Sequence, residues 1–166
     1  MVRFIEVSEA DFQRWAAASV DEYVSERVKA GNDEKNSPER SRDEFRSLLP
    51  RGRLTKNNYV YSIVDENDAG RVVGIIWYAV DHPDFAKNTL YIYDIRIEEH
   101  LRGKGYGRAA LLLLEERARA LGKRRIALHV FAHNERARRL YEELGYKPTN
   151  IVMAKELGQA LGDQIT

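Results

Sequence analysis

The chain has no cysteine. That excludes disulfides, thiolate metal sites and a cysteine nucleophile. No apolar run approaches the ~18 residues of a membrane span, so no membrane partner is expected. The opening stretch, MVRFIEVSEADF, puts Glu and Asp where a signal peptide carries its apolar segment, and a cytoplasmic protein is expected. Nowhere do His, Asp and Glu cluster at metal-ligand spacing, so no metal is expected. Internal repeats, low-complexity tracts and linkers are also missing. The net charge of +1 gives no overall basicity to attract nucleic acid. Arg124, Arg125, Arg136, Arg138 and Arg139 are not interleaved with aromatics that could stack on bases, so no nucleic-acid partner is expected.

What is present is a chain of 166 residues, 43% hydrophobic and 32% charged, which suits one soluble domain with one core. The expected division is a domain over 1–156 and a frayed tail over 157–166. The charge is uneven. Residues 1–90 carry 13 basic and 16 acidic side chains, and residues 91–166 carry 14 and 10. The C-terminal half is the better host for an anion and the N-terminal half for a cation.

Alternation predicts strands at 2–7, 58–64, 71–80, 90–97 and 124–131, with a last strand region over 146–156. Ser8 caps a first helix that runs to about Ala30, and Ser37-Pro38 starts a second that ends near Leu49. A third helix spans roughly Gly105 to Leu121, and Asn134 caps a fourth. The result is a mixed α/β domain of about six or seven strands and four helices.

Between a buried strand and the third helix lies HLRGKGYGRAALLLLEE, residues 100–116. Amides at a helix N-terminus lack intrahelical acceptors and carry partial positive charge. Glycines let such a backbone approach a ligand and take positive φ. With Arg102, Lys104 and Arg108 nearby, the turn suits a phosphate or pyrophosphate. It is not a P-loop, because Lys104 is followed by Gly105 rather than Ser or Thr. Nor is it a dinucleotide fingerprint, because Arg108 stands where the third glycine belongs.

Arg102, Gly105 and Gly107 give R-x-x-G-x-G. Asn134, Ala137, Leu140, Tyr141 and Gly145-Tyr146 give N-x-x-A-x-x-L-Y-x-x-x-G-[FY]. Together these blocks resemble the signatures of the GNAT (Gcn5-related N-acetyltransferase) superfamily, and small bacterial members above all. The resemblance extends over the whole chain, although its specific motifs lie between about residues 90 and 153. It implies a central mixed, twisted sheet splayed between its fourth and fifth strands, with acetyl-CoA in the gap. It also implies that backbone at Ile95 and Ile97 meets the pantetheine arm and that amides from Gly103 to Arg108 hold the pyrophosphate. Asn134 would contact the cofactor arm, and Tyr141 would lie near its sulfur.

Acetyl transfer to an amine needs a proton acceptor, a donor for the oxyanion and, optionally, an acid for the leaving thiolate. Tyr141 is the candidate acid. His129, five residues before Asn134, is the first candidate base, Asp94 is the second, and a water chain is a third route. A bulged strand near Ile95–Ile97 could supply the oxyanion donor. Without cysteine, direct transfer in a ternary complex is expected. Tyr23, Glu26 and Arg27 on the first helix are candidate acceptor contacts, as is one of Trp77 and Tyr78, which point to opposite faces of a strand. The expected acceptor is a primary amine of a small molecule, an amino-sugar antibiotic or a polyamine, which would allow a role in antibiotic resistance. Two alternatives stand beside it: acetylation of a protein or peptide N-terminus or lysine, and a non-catalytic acyl-CoA sensor. Many relatives dimerise, so the resemblance also allows a homodimer.

Overall fold

The alternation of VRFIE turns Val2 and Phe4 inward and makes β1 (Val2–Glu6), the edge of a five-stranded sheet. In the computed structural model, residues 1–29, 37–82 and 84–155 are described, without the side chains of 23, 26–29, 37, 38 and 41. Next come β2 (Asn58–Asp65), β3 (Arg71–Val80) and β4 (Thr89–Ile97), each antiparallel to its neighbour. The last strand, β5 (Arg125–Leu128), is parallel to β4, and the spatial order is β1-β2-β3-β4-β5.

Four α-helices cover the two faces. On one lie α1 (Glu9–Lys29) and α2 (Ser37–Leu48), over a layer built from Phe12, Trp15, Leu49, Val60 and Trp77. On the other, α3 (Tyr106–Ala120) sets Ala110, Leu111, Leu114 and Ala118 against Ile63, Ile76, Leu90 and Ile92. The last helix, α4 (Glu135–Glu143), adds Leu140 and Tyr141 to that second layer. Local chemistry sets the starts. The Ser8 hydroxyl accepts the Asp11 amide at 3.1 Å and donates to the Asp11 carboxylate at 2.5 Å. The Asn134 side-chain oxygen accepts the Ala137 amide at 3.2 Å.

One irregularity in β4 positions the site. Trp77 pairs with Asp94, but Tyr78 pairs with Ile92, so Tyr93 is an extra residue. The bulge shifts the side-chain phase. Leu90 and Ile92 face the α3 layer, and after the slip Ile95 and Ile97 face it too. Tyr93 instead packs with the α1 layer, and Asp94 is drawn there by Trp15.

Two expectations are corrected. The sheet has five strands among the described residues, not six or seven. The fifth was expected over 124–131, but its pairing with β4 stops at Ile92 and Leu128. The bulge at Tyr93 interrupts β4 just past Ile92, the point where its ladder with β5 stops. The expected strand over 146–156 is not formed across its described residues. Pro148 lacks an amide to donate within that stretch, and β5 is only four residues long. Residues 156–166 lie outside the described residues.

Candidate active site

Beyond Ile92, β4 continues to Ile97 while β5 has ended, which opens a V-shaped gap in the sheet. The gap leads to the glycine turn. A single turn of 3-10 helix (Glu99–Leu101) follows β4, and then Gly103 and Gly105 adopt φ of 84° and 87°. Gly105 is the left-handed cap of α3, a conformation that costs other residues about 1–2 kcal/mol. The amides of Tyr106, Gly107 and Arg108 then form the open first turn of α3. A Cβ on Gly107 would sit 3.3 Å from Leu140 Cδ2, so this glycine is what lets α3 lie close to α4.

The charges around the turn are distributed differently from their sequence order. Arg102 turns back, and its Nε donates to the Ile97 carbonyl at 3.1 Å. Arg108 pairs with Glu143 and so fastens α3 to α4. Lys104 is exposed. The guanidinium that approaches the glycines comes from α4. Arg136 Nη2 is 3.6 Å from where a Gly103 Cβ would lie, and no ion pair holds Arg136 among the described residues. Sequence spacing did not single this residue out for the turn, because the contact depends on how α4 packs. A pocket of roughly 400 Å³ lies beside it, lined by His133, Asn134, Glu135, Arg136 and Arg139.

Asp94, on the α1 side of the bulge, is well partnered. It accepts the Trp15 indole N–H at 2.8 Å and an Arg96 N–H at 3.3 Å, with the Ser19 hydroxyl at 3.5 Å. Arg96 also pairs with Glu22 at 2.5 Å. Trp15, Ser19 and Arg96 were missed by sequence reasoning. The bulge expected near Ile95–Ile97 is at Tyr93.

Tyr141 is mostly buried on α4. Desolvation, and then the negative charge of Asp94, push its phenol up to about 12. The Tyr146 ring packs 5.5 Å from Tyr141, and burial raises its phenol as well. Asn134 caps α4 with its oxygen, which leaves its amide NH₂ to donate elsewhere. His129 is exposed just past β5, edge-on to Phe131 at 4.9 Å. Ile95 and Ile97 are half-buried against the α3 layer.

Of the acceptor candidates, Trp77 is buried on the α1 side and donates to Asn58 at 2.9 Å. Tyr78 is buried on the opposite face, beside Tyr59 and Tyr61. Tyr23, Glu26 and Arg27 fall on α1, with side chains outside the described residues. Among the described residues, no His, Cys, Asp or Glu group could hold a metal, and no helix is long and apolar enough to cross a membrane.

Residues 20–146 match the model of the Acetyltransferase (GNAT) family. The chain belongs to that family. This GNAT N-acetyltransferase is 39% identical over 153 residues to YdgE, an uncharacterised N-acetyltransferase of Bacillus subtilis, covering 92% of this chain and 96% of that one. YycN, another uncharacterised N-acetyltransferase of that organism, is 38% identical over 149 residues, covering 89% of this chain and 93% of that one. The crystal structure of YycN superposes with a TM-score of 0.86 at 34% identity, over 95% of this GNAT chain and 99% of that one. AAC(6')-Iy, solved with the bisubstrate analogue CoA-S-monomethyl-acetylneamine, shares the fold alone. Its TM-score is 0.57 at 11% identity, over 95% of this chain and 97% of that one.

Proposed function

We propose that this GNAT protein moves an acetyl group from acetyl-CoA to a primary amine of a small molecule, directly, within a ternary complex. The observation that carries this reading is the junction of two features. The sheet opens between β4 and β5 at the end of their pairing, and a positive-φ glycine turn caps α3 just beyond.

The residues fit acetyl-CoA. The left-handed Gly103 and Gly105, the open amides of α3 and the nearby Arg136 make a cradle for two phosphates. The half-exposed backbone of β4 beyond Ile92 offers hydrogen-bonding groups to an amide-containing arm. Asn134, with its oxygen committed to the helix cap, has donors left for the same arm.

When bound, the thioester supplies an activated acetyl carbon and a thiolate leaving group. The amine nitrogen bonds to that carbon as the carbon–sulfur bond breaks. The amine gives up a proton, and the sulfur takes one. A phenol raised to about 12 stays protonated at neutral pH, so Tyr141 can donate to sulfur. Asp94 is engaged by Trp15 and Arg96, which favours a role in fixing the bulge over proton removal. His129, exposed at the end of β5, is the better base, acting directly or through water.

The test is thiol release from acetyl-CoA against a panel of amines, with acetyl-CoA binding followed by calorimetry. Amine-dependent turnover supports the reading. Turnover with peptides alone would favour the protein-modifying alternative, and tight binding without turnover would favour a sensor.

A further inference from the structure

The strand beside the gap is an uncovered edge. β5 runs parallel to β4, and no strand pairs with its other side among the described residues. Parallel strands are ordinarily flanked and buried, because an open row of amides and carbonyls is a template for another chain. Here Ile126, Ala127 and Leu128 stay only half-buried. Those three residues also lack the usual guards of an edge, with no charge, no proline and no bulge. The opposite edge differs. β1 buries Val2 and Phe4 and exposes the charged Arg3 and Glu6.

The chain also carries a strand-like segment with no sheet. After α4, Tyr146 packs against Tyr141 and anchors the backbone. From Lys147 to Lys155 every residue is exposed. Ile151, Val152 and Met153 are 73%, 94% and 89% exposed. Single apolar side chains on a surface are ordinary, but a run of them that its own body does not cover is costly to leave in water. Thr149, Ile151 and Val152 are β-branched, and no proline falls within 149–155, so the stretch suits a strand.

The two features match. A segment of that length, extended, reaches about 30 Å, enough to leave one body for another. A strand laid on β5 sets alternate side chains beside Ile126 and Leu128, which pack toward the α3 layer, and the others beside Ala127. Ile151 and Met153 then share one face and Val152 takes the other. Each copy of the chain has one such segment and one such edge. Exchange between two copies is therefore reciprocal and closes as a two-fold dimer.

We propose that residues 149–155 of one copy pair with the free edge of β5 in a second copy, giving a homodimer joined by exchanged strands. The segment from the second copy runs along β5 as far as Leu128, where the gap opens. The pairing is independent of the transfer chemistry.

Sedimentation velocity of the full chain at micromolar concentration should show a dimer. Ile151→Lys combined with Met153→Lys should weaken association about a hundredfold or more, the scale of two apolar side chains no longer buried. Val152→Lys should act likewise from the other face. These positions are exposed in the single chain, so circular dichroism should be unchanged in every variant. The contact itself is read with a benzophenone photo-crosslinking amino acid in place of Val152, in a mixture of unlabelled and heavy-nitrogen protein. Cross-links that join heavy to light peptides, with β5 as the target, would support the exchange. A monomer at every concentration, a dimer that the lysine variants leave intact, heavy–light cross-links that avoid β5, or cross-links to β5 within one copy alone would overturn it.

Discussion

The Trp15 indole N–H donates to the Asp94 carboxylate at 2.8 Å, and so ties the first helix to the bulge at the mouth of the gap. Asp94 is only 23% exposed, so this bond offsets much of the cost of holding a charge there. Trp15→Phe should cost about 2–3 kcal/mol in denaturant unfolding, from a lost bond to a charged acceptor and the space left by the smaller ring. Asp94→Asn should keep the acidic limb of the pH–rate profile. A limb lost in Asp94→Asn would return Asp94 to the role of base.

Gly105 holds φ of 87°, and a Cβ at Gly107 would press on Leu140. Gly105→Val should weaken acetyl-CoA binding about tenfold or more through backbone strain of about 1–2 kcal/mol and a blocked approach. Gly107→Val should do so by pushing α4 aside. Circular dichroism should show a folded domain in both cases. Calorimetry that finds unchanged affinity would remove the turn from the cofactor site.

Arg136 stands by Gly103, whereas Arg102 is committed to the Ile97 carbonyl. Arg136→Ala should therefore raise the Kd for acetyl-CoA about tenfold, in line with a lost charge-assisted bond. The same loss is expected with dephospho-CoA and none with acetyl-pantetheine, which lacks the diphosphate. A loss that disappears with dephospho-CoA would move Arg136 to the 3′-phosphate.

Burial and Asp94 raise the Tyr141 phenol from 10 to about 12, so its neutral form is favoured by the fold. The sign follows from linkage. Stability from this group is fully present below pH ~10 and is lost as the pH climbs toward about 12. Below pH ~10 the rate profile should show no titration of Tyr141. Tyr141→Phe should lower kcat about 10- to 100-fold with a smaller change in the KM for acetyl-CoA. His129→Ala should flatten the acidic limb. If the limb persists in that variant, a water chain carries the proton.

Much of this was legible in the sequence. The hairpin of β2 and β3, the four helices and the glycine turn followed from periodicity and capping residues, because these are local. The bulge was also written there. In LYIYDIRI the apolar positions Leu90 and Ile92 fall out of phase with Ile95 and Ile97, a slip that only an extra residue at Tyr93 or Asp94 reconciles. What the sequence hid depends on non-local contacts. The short β5 stops where its neighbour bulges. The diversion of Arg102 and Arg108, the approach of Arg136 and the Trp15–Asp94 bond depend on how helices pack across the sheet. No spacing along the chain encodes these.

The central claim is that this chain joins an acetyl group to an amine without taking it onto itself. Acetyl-CoA labelled in its acetyl carbons would be incubated with the protein and an acceptor amine, and both the amine and the intact protein would be weighed by mass spectrometry. Label is expected in an N-acetylated product, formed only in the presence of enzyme, with the protein unchanged in mass. Label retained on the protein, or none transferred to any amine despite bound acetyl-CoA, would contradict it.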